Sequence, residues 1–84
     1  MSGAKFETRE PSAEEMERIE NNFTHHPPQG DQVERYSFIR NIVKHVAVTL
    51  CKLCPPSREL SLALTKLEEA VFWANAAIAR HDGK

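Results

Sequence analysis

Residues 70–79 read AVFWANAAIA, and how this stretch is covered decides the fold. Nine of its ten residues are apolar and none is glycine or proline, so a helix of almost three turns is expected. One packing seam hides only about a third of a helix circumference. Val71, Ala74 and Ile78 fill that seam, leaving Phe72, Trp73, Ala76, Ala77 and Ala79 on other faces. Apolar patches of this kind mark interfaces, and the alanines let a neighbouring helix approach closely. Val71, Phe72, Trp73, Ala76 and Ala77 are therefore expected at an interface between copies of the chain. The competing arrangement is a monomer in which Met16, Ile19 and Phe23 of the N-terminal segment wrap the hairpin.

Toward the N-terminus, Leu60, Leu64, Leu67, Val71, Ala74 and Ile78 step by three and four. Ser57 is a natural N-cap, Glu59 suits the positive end of the helix, and Gly83 marks its far end. Pro55 and Pro56 stop a preceding helix whose seam is expected at Tyr36, Ile39, Val43, Val46, Leu50 and Leu53. Its β-branched content (Ile42, Val43, Val46, Val48) favours strand, but the seam spacing and length favour helix. That helix is expected to begin at Asp31 in a capping box with Glu34. Two long helices joined by a tight turn make an antiparallel hairpin. Before the THHPPQG break at 24–30, Ser12 and Glu15 form another capping box, leading a short helix striped by Met16, Ile19 and Phe23. The fold class is thus all-α, a long antiparallel helical hairpin plus a short N-terminal helix, assembling as a homo-oligomer. Residues 12–84 form the single domain. Residues 1–11 carry no periodicity and are expected to be disordered.

At 84 residues there is room for one domain, and a chain this short buries little apolar surface alone. A net charge of −1 argues against binding nucleic-acid polymers, which calls for a basic excess, while leaving room for a small anionic ligand. No signal peptide and no membrane-length apolar run is visible, so a soluble cytoplasmic protein with reduced thiols is expected.

Several residues invite chemistry. Asn75 is the lone polar side chain in the apolar stretch, and a buried amide must find a partner: another Asn75 across an interface, or a ligand's base or sugar. Ser61, Thr65, Glu68, Phe72 and Asn75 share one face, a mix suited to a nucleotide or to half-buried helix packing. Arg35, Arg40, Lys44 and Arg58 are the cations of the hairpin. Arg58, in a first helical turn, could clamp a phosphate or simply be solvated. Cys51 and Cys54 form C-x-x-C beside His45, but a structural zinc site needs four ligands and no second pair exists. His25, His26, His45 and His81 lack metal spacing. No cofactor and no catalytic constellation is expected.

The stretches FTHHPPQGDQVERYSFIR (23–40) and PPSRELSLALTKLEEAVFWANAAIAR (55–80) resemble a phage family built on a shared helical-hairpin domain. TKLEEAVFWANAAIAR is the most specific part. The family includes the anti-CBASS sponge, which sequesters cyclic oligonucleotide signals, and the Thoeris anti-defence sponge, which sequesters cyclic ADP-ribose isomers. The resemblance implies a homo-oligomer, often a hexamer, that captures its ligand at protomer interfaces without turnover, in the cytoplasm of the infected host cell. It also implies arginine and threonine contacts to phosphates, with aromatic and amide groups holding bases. Arg40, Arg58, Thr65, Asn75 and Arg80 are the candidates on that ground, with Phe23, His26 and Tyr36 stacking on the ligand or lining a pocket. The alternative function is a helical interaction module that grips a host or phage protein through Phe72 and Trp73.

Overall fold

The computed structural model describes residues 6–83, which form three α-helices and no strand. These are α1 (Ala13–Asn22), α2 (Gln32–Leu53) and α3 (Arg58–His81). The expectation of disorder at 1–11 lies partly outside the described residues, namely at 1–5. Within the described part, Arg9 forms a fork of two hydrogen bonds, 2.7 and 2.8 Å, to the Glu15 carboxylate.

Each helix starts where the chain supplies a partner for its free N–H groups, but not always the expected one. At α1 the capping box is complete. Glu15 N–H donates to Ser12 Oγ at 3.0 Å, and Ser12 N–H donates to Glu15 Oε1 at 2.9 Å. At α3, Leu60 N–H donates to Ser57 Oγ at 3.1 Å. At α2 the box does not form: Asp31 makes no side-chain cap. Its carboxylate instead accepts from Arg35 Nε at 3.1 Å, and an ion pair one turn along outcompetes a neutral backbone donor. Gly30 precedes α2 at φ 55° and Gly83 follows α3 at φ 83°, both in the left-handed region that glycine enters without steric cost.

The tight connection at 54–57 folds α3 back antiparallel on α2. The α3 seam sits at the expected positions, with Leu60, Leu64, Leu67, Val71, Ala74 and Ile78 all half-buried. On α2 the seam departs from expectation after Val43. It runs through Ala47, Leu50 and Cys54, while Val46 (42% exposed) and Leu53 (77% exposed) face outward. Steps averaging 3.5 residues describe a supercoiled helix, whereas a straight one turns every 3.6 and drifts about 20° per heptad. The half-buried positions from Tyr36 to Cys54 step by 3.6 residues on average, the period of a straight helix, whereas the expected set from Tyr36 to Leu53 steps by 3.4 and so falls off the buried face at 46 and 53. The open end of the hairpin is tied by Asp82, whose carboxylate accepts from Gln32 Nε2 at 3.0 Å and from the Arg35 guanidinium.

No described residue is fully buried. The radius of gyration is 18.8 Å, against about 12 Å for a compact chain of this length. The accessible surface is 7311 Å², where a compact monomer of this mass exposes roughly 5,000 Å². Phe72 and Trp73 are each 67% exposed, and α1 does not cover them. It lies at the far end of α3, where Asn21 Nδ2 donates to the Arg80 carbonyl at 3.1 Å, and Met16, Ile19 and Phe23 stay exposed. The wrapped arrangement is therefore not the one this chain adopts.

Candidate functional site

Arg80 is the residue on which the polar features converge. It sits on the last turn of α3 and lines three hollows. The first, about 180 Å³, is a polar corner shared with His26, Gln29, Gln32 and Asp82. Here the His26 imidazole donates through Nε2 to the Asn21 carbonyl at 2.8 Å, which fixes the proton on that nitrogen. The Asp82 carboxyl lies below its ordinary range because Gln32 and then Arg35 donate to its charged form. The second hollow, about 440 Å³, lies between α1 and the end of α3 and brings Arg18, Asn21 and His81 beside Arg80. The third, about 470 Å³, carries Phe72, Trp73, Ala76 and Glu69. One guanidinium thus borders both a hydrogen-bonding corner and an aromatic shelf.

A larger groove of about 750 Å³ runs along one face of the hairpin, with Arg40, Lys44 and Lys52 on one rim and Glu68 and Phe72 on the other. Its floor is apolar. Arg40 reaches Ser37 Oγ at 3.2 Å and stays exposed. All these hollows are open on one side, so a molecule seated in any of them keeps a face uncovered by this chain.

The expected ligand residues fall into separate groups. His26 and Arg80 share the polar corner, and Arg40 shares the groove with Phe72. Tyr36 is half-buried on α2, and Phe23 is 85% exposed at the C-cap of α1. Arg58 and Thr65 are exposed near the Pro-Pro turn, and Arg58 lies about 33 Å from Arg80 at 1.5 Å per residue. No single chain brings these groups to one point. Asn75 is half-buried, and its Oδ1 is enclosed with no hydrogen-bond donor among the described residues.

Gln29, Gln32 and Asp82 were not candidates from sequence, though a signal existed. A hairpin that turns at 54–57 pairs residues whose numbers sum to about 112, which sets Gln32 opposite the end of α3. Asn21 carried no such signal, since its contact depends on where α1 comes to rest.

The fold and its open faces define an all-helical hairpin protein that displays cationic, aromatic and amide side chains. The chain is a member of the Acb2/Tad1 hairpin-domain family: the family model described as Acb2/Tad1, hairpin domain, matches residues 15–79, which covers most of α1, all of α2 and nearly all of α3. This is the anti-CBASS and anti-Thoeris sponge family to which the resemblance pointed. No curated protein and no solved structure gave a match. No helix among the described residues is long and apolar enough to cross a membrane.

Proposed function

We propose that this protein is a phage anti-defence sponge that binds cyclic nucleotide immune messengers and holds them intact in the cytoplasm of the infected host. Cyclic di- and trinucleotides and cyclic ADP-ribose isomers are the ligand classes. Family membership across residues 15–79 is the observation that carries this reading. The surface supports it. A cyclic nucleotide offers phosphates, ribose hydroxyls and flat bases. Arg80 next to Phe72 and Trp73 provides a bidentate phosphate donor beside a stacking surface.

Homo-oligomerisation, with a hexamer as the expected state, completes the pockets. Each hollow around Arg80 is open in one chain and gains its missing wall from another. The separated groups around Arg58 and Thr65, and around His26 and Arg80, then act as two parts of sites that different chains close. Phe23 and Tyr36 line them, and the enclosed Oδ1 of Asn75 accepts from a ligand or from a partner chain. Useful sequestration needs Kd near the nanomolar range, about 12 kcal/mol, which several charge-assisted contacts plus stacking can supply.

Calorimetry against a panel of cyclic di- and trinucleotides and cyclic ADP-ribose isomers tests the proposal. At least one ligand is expected below micromolar Kd and is recovered unchanged after heat denaturation. Silence across the whole panel at ~10 µM protein contradicts the sponge, since weaker binding sequesters little. The interaction-module alternative predicts instead that a foreign protein covers Trp73. Wild-type protein would then capture that partner, and Trp73→Glu would lose it without changing the chain's own mass in solution.

A further inference from the structure

Two of the exposed surfaces match in length and charge. One is the apolar stripe of α1, Met16, Ile19 and Phe23, exposed at 41%, 41% and 85%. At 100° per residue, Glu20 flanks this stripe about 70° from its centre and Glu17 lies further round on the same side, and α1 carries four glutamates against a single arginine. The other is the groove between α2 and α3, apolar along its floor around Ala47 and Leu67, with Arg40, Lys44 and Lys52 on its rim facing the lone carboxylate of Glu68. The lengths agree: α1 spans about 15 Å, and the rim from Arg40 to Lys52 spans about 18 Å. Within its own chain, α1 is held at the end of α3 by Asn21, and none of its residues lines this groove.

We propose that α1 of one copy docks its Met16–Ile19–Phe23 stripe into the α2–α3 groove of a neighbouring copy, with Glu17 and Glu20 against Lys44 and Lys52. This inference rests on the self-assembly reading above and names the surfaces that carry it. Burial of three large apolar side chains drives the docking, and the charge match sets its direction and register. The acidic α1 also occupies the basic rim, so the groove is a subunit contact rather than a nucleotide site.

Cys51 lines the groove and is a free thiol, which gives a direct test. An Ile19→Cys chain that also carries Cys51→Ser and Cys54→Ser is mixed, without ligand, with a mass-tagged chain carrying Cys54→Ser alone. Mild oxidation is expected to yield an adduct with the summed mass of the tagged and untagged chains. Arg18→Cys, on the opposite face of α1, is expected to lose it. Lys44→Glu with Lys52→Glu in the tagged chain also removes the adduct, and Glu17→Lys with Glu20→Lys in the other chain restores it. No mixed adduct overturns the proposal, as does equal yield from Arg18→Cys. So does a chain carrying both Ile19→Cys and Cys51 that links only within itself. An oligomer by light scattering without the adduct refutes this docking alone, whereas an adduct with no calorimetric ligand refutes only the sponge.

Discussion

Asn75 carries an enclosed side-chain oxygen that finds no donor among the described residues. An amide oxygen enclosed on the apolar side of α3 without a donor costs about 1–3 kcal/mol, and a ligand or partner chain that supplies the donor recovers it. Asn75→Leu is therefore expected to leave the thermal stability of the ligand-free protein unchanged or raised. It should weaken the best panel ligand by roughly 5- to 150-fold, the same energy read as affinity. Calorimetry paired with thermal melts checks both halves; full affinity in the variant would remove Asn75 from the site. The sequence marked this residue because it interrupts an apolar run. It could not mark Gln32 or Asp82, which meet only once the hairpin closes and look like ordinary helix-end polar residues before then.

Among the elements, α1 carries an acid-sensitive ion pair at its start. Arg9 first, then the Ser12 N–H, hold the Glu15 carboxyl down at about 2, well below its ordinary 4.5. The folded value is depressed, so the contribution to α1 is complete above pH 4.5 and is lost progressively as pH falls from there toward 2. Amide chemical shifts of residues 13–22 are expected to move to coil values across that window and to hold steady from pH 5 to 8. The pair is open to solvent, with the Arg9 side chain 74% and the Glu15 side chain 31% exposed, so added salt shrinks the effect. Ser57→Ala removes the cap of α3 and is expected to cost about 1 kcal/mol of hairpin stability by denaturant titration; a change within error would mean that the Leu60 N–H finds water equally well. Helix existence, type and order were legible from spacing, prolines and caps. Two details were not. Asp31 failed as a cap because Arg35 competes for it, and the α2 seam moved by one residue because small errors in assumed period accumulate along a 22-residue helix.

At the scale of the whole molecule, the chain has the surface of something unfinished. None of its described residues is buried, it is extended beyond a compact domain, and it shows its only tryptophan to solvent. Burying Phe72 and Trp73 stabilises by about 1.5–3 kcal/mol each, a large share of the stability of a domain this small. Trp73 fluorescence is accordingly expected at short wavelength in concentrated protein and to shift red on dilution; an emission maximum fixed at the solvent-exposed position at every concentration contradicts burial between copies. The residues 70–79 announced this need for a cover, because their composition exceeds what one seam hides. The number of copies and the identity of the ligand were not legible, since neither follows from the faces of a single chain. The most direct measurement is native mass spectrometry of the protein with the panel of cyclic nucleotides. The account predicts a multiple of 9.5 kDa carrying intact ligand, with Trp73→Glu collapsing both assembly and binding. A folded 9.5 kDa species that stays single at micromolar concentration, with or without ligand, would contradict it.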